Sequence, residues 1–291
     1  MEEFKYWSGI PTLRSSKHRV RASQKNQKTS QPKNTSNKEE TLLPPSIRVK
    51  ECFPYDASKH DLKGAIIALL SNSKEEWIGS WPSNDSECIT SKNRLEDLYI
   101  PPESLTRKAN GGNLEEVQQY LSDAVHTSVE FLSTFDEFVT GVVLPHLKQR
   151  LIDQGVLASP HESVTFYYQR PPTLRLQPGP ARAMVTKHRD SIYGHQGGEL
   201  NFFVPLTDRH LTRVDLHSES ESDLGDYSPL GVDVGHCVSF HGSSCRHYVN
   251  RNETVYTRAS LDFRVGVSPF YDDSWMMVGT SNDHLRRKVE M

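Results

Sequence analysis

The chain opens with a stretch that lacks the apolar positions a folded segment needs. Residues 14–43 consist largely of Ser, Lys, Gln, Asn and Thr. Such a composition buries too little apolar surface to offset the entropy of ordering the chain. We therefore predict a disordered basic tail over residues 1–43 and a single folded domain over residues 44–291.

Apolar residues at helical spacing follow the tail. A short pattern covers residues 61–70, and a long one covers residues 113–154 with an i, i+3, i+4 rhythm. Pro145 should kink or divide the later part of the long pattern. Residues 44–160 are thus predicted to form a mainly helical layer whose apolar face packs against a larger body.

The sequence pattern changes after residue 160, where short strand-like segments alternate with turn-rich links. The predicted strands are Ser163–Arg170, Thr173–Gln177, Arg182–His188, Glu199–Thr207, Arg213–His217, Asp233–His241 and Tyr256–Val267. Strands at this spacing suggest a sandwich or barrel. Helices followed by a run of strands give an α+β fold class, with the helices packed on one sheet and a β core over residues 161–270.

Charge is distributed unevenly along the chain. Residues 1–38 carry nine Lys/Arg against two Glu, which leaves 25 basic and 35 acidic residues in the remainder of a chain with net charge -3. The folded part should therefore not bind nucleic acid through bulk charge. For the tail, a nucleic-acid arm or an organelle transit segment stays open beside the favoured interpretation, a solvated tail.

Cysteine usage and hydropathy indicate the compartment. The four cysteines show no CxxC spacing, and no hydrophobic signal segment follows the first residues. No apolar run approaches the roughly 18 residues that span a bilayer. We expect a soluble, cytoplasmic protein with free thiols and no membrane partner, and the sequence does not indicate the oligomeric state.

Two triplets combine metal-ligand residue types. In the stretch TKHRDSIYGHQGGELNFFVPLT, His188 and Asp190 share one parity at the end of a predicted strand, so both side chains can project from one face. They would supply two corners of a 2-His-1-carboxylate site. His217 and Glu219 form a similar triplet, but they lie in the polar HSESESD stretch, which looks like a surface loop.

A later strand carries one apolar and one polar face. Its apolar positions are Ala259, Leu261, Phe263 and Val265, and its polar positions are Arg258, Ser260, Asp262 and Arg264. The polar face meets solvent in the simpler interpretation. In the other, it lines a barrel interior, where Arg258 beside Ser260 holds a carboxylate by a forked, charge-assisted contact.

These pieces, in this order, resemble a known family. His188-Arg189-Asp190, a histidine 57 residues after the acid, and TRAS with Arg258 eleven residues further on are similar to the HxD...H...RxS pattern of Fe(II)/2-oxoglutarate-dependent dioxygenases. The segments YYQRPPTLRLQPG, GDYSPL and HYVNRNETVYTRASLDFRV resemble the StrG-type, phytanoyl-CoA-dioxygenase-like branch. The resemblance covers residues 166–267 and leaves the first 110 residues uncovered.

The resemblance implies a double-stranded β-helix, that is, a cupin-like jelly roll, and a set of site residues. His188, Asp190 and His247 would bind Fe(II), and Arg258 with Ser260 would bind the distal carboxylate of 2-oxoglutarate. O2 would be the second cosubstrate, with ascorbate as reductant in vitro. No catalytic residue is implied beyond the metal centre.

Four further residues are candidates. Asn201 should point into the barrel, away from its apolar neighbours, and could contact the cosubstrate. His241 competes with His247 as the third ligand, at a less typical spacing from the arginine. His195 is a substrate candidate or a structural hydrogen-bonding residue, and Arg264 either pairs with a substrate carboxylate or forms a salt bridge to a neighbouring acid.

The implied reaction is oxidation of an unactivated C–H bond, with 2-oxoglutarate converted to succinate and CO2. We expect hydroxylation of a small polar, amino-acid-derived or sugar-like metabolite in secondary metabolism, where arginines near the predicted strands, Arg175 among them, would contact the substrate. Oxidative ring closure of the kainoid type and desaturation are alternatives. A cupin-like binding protein without catalysis and a zinc hydrolase are the rival classes.

Overall fold

The computed structural model describes residues 42–71, 94–98, 123–180, 185–275 and 285–291. Residues 1–41 of the predicted tail lie outside this part. Leu43, the last residue assigned to the tail, is 1% exposed in the core, and its N–H donates to the carbonyl oxygen of Gly197 at 3.1 Å. The prediction of disorder is therefore wrong for Leu43, because its side chain is buried against the sheet.

Five α-helices are described, together with two 3₁₀ turns at Leu95–Asp97 and Asp190–Tyr193. The helices are α1 (Pro45–Arg48), α2 (Leu62–Ser71), α3 (Val129–Phe138), α4 (Leu144–Asp153) and α5 (Arg209–Thr212), and residues 123–127 form a further helical turn. Helix α2 confirms the short predicted pattern. The beginning of the long one, residues 113–122, lies outside the described residues.

The predicted interruption at Pro145 takes the form of a change in helix type. A π-helical segment, Val139–Val143, joins α3 to α4, and Pro145 stands in the first turn of α4. Proline lacks the N–H that an α-helix interior needs, but the first turn leaves that donor without an intrahelical partner in any case. The wider π turn thus divides the helix without ending it.

Eleven strands in the described residues form two antiparallel sheets. The strands are β1 (Glu51–Pro54), β2 (Thr165–Gln169), β3 (Thr173–Gln177), β4 (Val185–His188), β5 (Glu199–Pro205), β6 (Leu216–Ser218), β7 (Ser228–Pro229), β8 (His236–Phe240), β9 (His247–Val249), β10 (Arg258–Val267) and β11 (Arg286–Glu290). The large sheet has the order β1-β8-β5-β10-β2-β11 with β3 also paired to β10, and the small sheet has the order β4-β9-β6-β7. With helices packed on the large sheet, this is the α+β double-stranded β-helix that the sequence predicted.

Strand β10 separates a helical side from an interior side. On the helical side, Phe263 meets Phe135 of α3 edge to face at 5.1 Å and stacks on Phe202 of β5 at 5.3 Å. Full burial of a phenylalanine side chain contributes about 1.5–3 kcal/mol, so these rings hold the helices on the sheet. The opposite face is also closed, because Arg258 and Arg264 are 6% and 9% exposed. The solvent-facing interpretation of the polar face is therefore wrong.

A second apolar cluster lies between the two sheets. It is formed by Phe203, Val214, Leu216, Leu230, Val232, Val238, Phe240 and Val249. It fills part of the barrel interior and leaves the remainder to the polar side chains of β5, β9 and β10. The ring of Phe240 lies 5.3 Å from the ring of His247, so this cluster forms an apolar wall beside the histidine.

One predicted strand was largely wrong. Arg213–His217 was expected to be extended, but this segment begins at the residue that follows helix α5, Arg213, whose φ of 52 is left-handed. Only the end of that segment joins β6.

The cysteines within the described residues are free thiols, and Cys88 lies outside them. Among the described residues, no helix combines the length and the apolar character needed to cross a membrane.

Candidate metal centre

Two histidines face each other across the small sheet. His188 ends β4 and is the register partner of His247, which begins β9. Paired residues of antiparallel strands project from the same face with Cβ atoms about 5 Å apart, and here the ring centroids are 4.4 Å apart. Asp190 opens the 3₁₀ turn two residues after His188, and its N–H donates to the carbonyl oxygen of Gly242 at 2.9 Å. Strand pairing thus assembles the three side chains from two distant segments.

Each of the three side chains presents one ligand atom to a common point. Nε2 of His188 and Nε2 of His247 both lie 3.4 Å from Oδ1 of Asp190, and the ligand atoms all lie within 4.8 Å of one another. Nδ1 of His188 lies 2.7 Å from the carbonyl oxygen of Thr186, and Nδ1 of His247 lies 3.2 Å from that of Cys245. Because a carbonyl oxygen only accepts, we assign the proton to each Nδ1, which leaves the Nε2 lone pairs for a metal.

The second oxygen of Asp190 is occupied by protein donors. Oδ2 accepts from Nδ2 of Asn201 at 2.6 Å and from Nε and Nη2 of Arg264 at 2.9 and 2.6 Å. Burial alone would raise the pKa of Asp190, but the positive charge of Arg264 holds this pKa well below its ordinary value. Asp190 is therefore an anion that offers Oδ1 alone to the centre.

Gln169 and Gly242, which the sequence did not indicate as site residues, hold the donors Arg264 and Asn201 in place. Oε1 of Gln169 accepts from Nη1 of Arg264 at 3.2 Å. The N–H of Gly242 donates to Oδ1 of Asn201 at 3.0 Å, and a Cβ at Gly242 would lie 2.6 Å from that same oxygen. Both contacts join distant segments, so no local sequence signal could have identified them.

Glu199 forms a second buried network beside the centre. One of its oxygens lies 2.8 Å from Nδ1 of His195, and the other accepts from Nη2 of Arg286 at 3.1 Å. Burial would raise the pKa of Glu199, but Arg286 and His195 bring it down to about 2. His195 is thus paired with a carboxylate, which agrees with the interpretation of this histidine as a structural hydrogen-bonding residue.

Arg258 and Ser260 lie on the interior face of β10 without the partners that buried polar groups usually have. Arg258 has no ion-pair partner among the described residues, and its guanidinium carbon lies 5.4 Å from the ring centroid of Phe203. Burial lowers the pKa of Arg258 to about 10. Among the described residues, Oγ of Ser260, which is 0% exposed, has no hydrogen-bond partner. A buried cation and an orphaned hydroxyl on one face fit an anionic ligand such as a carboxylate.

Asn201, Arg264 and Arg175 contact other protein residues instead of standing free for cosubstrate or substrate. The amide of Asn201 bonds Asp190 and Gly242, so it supports a ligand of the centre instead of standing free for the cosubstrate. The arginines expected to contact substrate pair with acids: Arg264 with Asp190, and Arg175 with Asp262 at 2.9 Å. For Arg264 this is the salt bridge that the sequence left as an alternative.

The two competing histidines stand apart from the cluster. Nε2 of His241 lies 3.0 Å from the carbonyl oxygen of Gly197. His217 stacks on Tyr248 at 4.8 Å, while Glu219 is buried and accepts the N–H of Arg246 at 2.7 Å. The surface-loop interpretation of this triplet was wrong, since His217 lies in β6 and Glu219 is 4% exposed. Within the described residues, His188, Asp190 and His247 form the only cluster suited to a metal ion.

Comparisons with known proteins place this geometry in context. No protein-family model matches the sequence. The streptomycin biosynthesis protein StrG of Streptomyces griseus is 34% identical over 98 residues, which are 34% of this chain and 45% of StrG. The chain thus spans less than half the length of this curated relative.

Among the solved structures that this chain resembles are two non-haem enzymes and a Streptomyces protein, each at a TM-score below 0.5. They include the monooxygenase ThoJ in complex with nickel (16% identity, TM-score 0.43, covering 82% of this chain and 84% of that one). The 2-oxoglutarate-dependent epimerase SnoN of nogalamycin biosynthesis has 17% identity and a TM-score of 0.36, covering 53% of this chain and 67% of that one. AviO1 of Streptomyces viridochromogenes has 16% identity and a TM-score of 0.38, covering 77% and 93%.

The sequence match and the cluster of His188, Asp190 and His247 point the same way. They confirm the resemblance of this chain to the StrG-type branch of Fe(II)/2-oxoglutarate-dependent dioxygenases.

Proposed function

We propose that this protein is an Fe(II)/2-oxoglutarate-dependent dioxygenase that oxidises a C–H bond of a small polar metabolite. The observation that carries the proposal is the cluster of His188, Asp190 and His247 inside a barrel that also holds Arg258, for which the described residues supply no ion-pair partner. Two imidazoles and one carboxylate suit non-haem Fe(II) and leave coordination positions for cosubstrates.

The ligands require little rearrangement to receive a metal ion. Both imidazoles present Nε2, and Asp190 is held as an anion by Arg264 and Asn201. The carbonyl partners of the two Nδ1 atoms fix the ring orientations. Such supporting contacts typically change metal affinity 10- to 100-fold when they are removed.

Arg258 and Ser260 suit the distal carboxylate of 2-oxoglutarate. The carboxylate would supply the counter-charge that Arg258 lacks and the hydrogen-bond acceptor that Ser260 lacks. Bound Fe(II) and 2-oxoglutarate together would activate O2, with 2-oxoglutarate and O2 converted to succinate, CO2 and one oxygen atom for the substrate. The walls of the barrel, Phe240 among them, would exclude bulk water from the centre.

Hydroxylation of an amino-acid-derived or sugar-like metabolite in a natural-product pathway is the finer proposal. It is supported by the match to StrG, a protein of streptomycin biosynthesis. The arginine contacts once expected for the substrate no longer support it, because Arg175 and Arg264 pair with acids.

The test is incubation of the protein with Fe(II), 2-oxoglutarate, O2, ascorbate and a fractionated metabolite extract. We expect one fraction to stimulate succinate formation and one of its components to gain an oxygen atom. The His247→Ala variant serves as the matched control and should give neither result. Iron-loaded, folded protein that forms no substrate-stimulated succinate would contradict the proposal.

The same assay separates the alternatives. A component that loses two hydrogen atoms while succinate forms indicates ring closure or desaturation instead of hydroxylation. A cupin-like binding protein would bind metal without consuming 2-oxoglutarate. Arg258 and Ser260, which have no partners within the described ranges, disfavour that class, because a metal-binding module has no use for a buried site for a second anion.

A further inference from the structure

Arg175 carries an unpaired donor on the same side of the sheet as the proposed cosubstrate site. Its Nη1 is buried and has no hydrogen-bond partner in the part of the chain that the structure describes, and the same holds for Oγ of Ser260. We propose that Arg175 is a third donor for the distal carboxylate of 2-oxoglutarate, next to Arg258 and Ser260. This inference rests on the proposed function and assigns one further binding residue within it.

Strand register brings the three residues together. Arg175 on β3 is the Cα partner of Ser260 on β10, and Gln177 is the partner of Arg258. Partners in an antiparallel pair project from the same face with Cβ atoms about 5 Å apart, so Arg175 shares the interior face with Ser260. Arg258 lies on that face two residues away.

Arg258 lacks an ion-pair partner on the described part of this face. Asp262 also lies on it, and its Oδ2 accepts from Nε of Arg175 at 2.9 Å. Asp262 is thus engaged by Arg175, and Arg258 has no ion-pair partner among the described residues. Burial lowers the pKa of Arg258, Asp262 raises it, Arg175 lowers it, and Asp215 raises it. An added carboxylate would supply the ion-pair partner that Arg258 lacks.

Position along β10 separates Arg175 from the metal ligands. Arg264 marks the metal end of the strand through its contacts with Asp190, and Ser260 lies four residues away. At about 3.3 Å per residue this distance is about 13 Å. Arg175, level with Ser260, thus belongs to the end of the barrel where the distal carboxylate would lie.

The guanidinium group of Arg175 can donate hydrogen bonds to two acceptors at once. Nε already engages Asp262, and Nη1 has no acceptor among the described residues. A guanidinium group can serve both at once, whereas a lysine ammonium acts as a single point charge. Asp262 would then orient Arg175 towards the ligand.

Binding of 2-oxoglutarate to the Ni(II)-loaded protein, measured by calorimetry, tests the inference. The probes are 2-oxoglutarate and 2-oxopentanoate, in which a methyl group replaces the distal carboxylate. We expect Arg175→Met to weaken 2-oxoglutarate binding roughly tenfold, because a charge-assisted hydrogen bond is lost, and to leave 2-oxopentanoate binding unchanged. Arg170→Met is the matched control, since Arg170 forms a similar part-buried pair with Asp136, and it should leave both affinities unchanged.

The outcomes separate this inference from the proposed function. Wild-type protein that binds Ni(II) but no 2-oxoglutarate overturns both. Wild-type binding with an equally tight Arg175→Met variant overturns the role of Arg175 alone, as does equal weakening of both probes. If Arg175→Met does not fold, the double variant Arg175→Met/Asp262→Asn removes the pair without leaving a buried carboxylate, and the same tenfold selective loss is expected from it.

Discussion

Replacement of Arg264 by methionine should strongly destabilise the metal-free protein. The variant removes two of the three donors to Oδ2 of Asp190 and the positive charge beside a carboxylate that is 1% exposed. Removal of one partner of a buried ion pair costs about 3–5 kcal/mol, because the remaining charge stays desolvated. Asn201, the remaining donor to Oδ2, cannot supply the missing charge.

The assay is urea unfolding in the presence of a chelator, at pH 7 and at lower pH. The midpoint should fall while the denaturant dependence stays the same. Arg170→Met is a suitable control, since the Arg170–Asp136 pair is more exposed and should contribute only about 0–1 kcal/mol.

The pH dependence gives a second, independent result. Because the pKa of Asp190 is lower in the folded protein than in the unfolded chain, its stabilising contribution is present above about pH 4 and is lost as the pH falls towards the folded value. The difference between wild type and variant should therefore shrink below about pH 4. A loss under 1 kcal/mol at pH 7, or a difference that does not change with pH, would show that Arg264 does not stabilise the Asp190 anion.

Three further outcomes follow from the site. His247→Ala should abolish metal retention and His241→Ala should preserve it, as measured by metal analysis after desalting; the reverse pattern would show that the third ligand is assigned wrongly. Arg258→Met should weaken 2-oxoglutarate binding by about 2–3 kcal/mol while metal still binds, and calorimetry that finds unchanged affinity would contradict the carboxylate site. Glu199, with a pKa of about 2, should contribute about 3 kcal/mol of stability at neutral pH that is lost as the pH falls from about 5 to 2. In Glu199→Gln, the free energy of unfolding should therefore depend less on pH between about 5 and 2. An unchanged pH dependence would contradict the stabilising role of the Glu199 network.

Local patterns predicted part of what the structure shows. The two faces of β10 follow from strand geometry, which the sequence displays directly. Asp190 lies in a 3₁₀ turn after β4, so shared parity along a strand does not account for its place beside His188. The burial of Arg258 and Ser260 on the inner face agrees with the barrel interpretation.

Long-range pairing accounts for most of what the sequence could not predict. Nothing in the sequence around Arg264 indicates that its acid is Asp190, because the two are joined only when β10 lies beside β5. Asn201 was correctly expected to face inward, but its partners again depend on tertiary contacts.

Short strands were missed for a related reason. Strands β7 and β9 contain two and three residues, too few for an alternating pattern, and β1 and β11 carry charged residues at the edges of their sheet. Such strands are fixed by their neighbours and not by their own composition.

Anaerobic titration of Fe(II) and 2-oxoglutarate into the protein, followed by visible absorbance, tests whether His188, Asp190 and His247 form an iron centre that takes 2-oxoglutarate. We expect one Fe(II) per chain and a charge-transfer band that develops only when both are present and is absent from His247→Ala. If Fe(II) and 2-oxoglutarate bind independently of each other, or if no band develops on folded protein that retains iron, the assignment of this centre is contradicted.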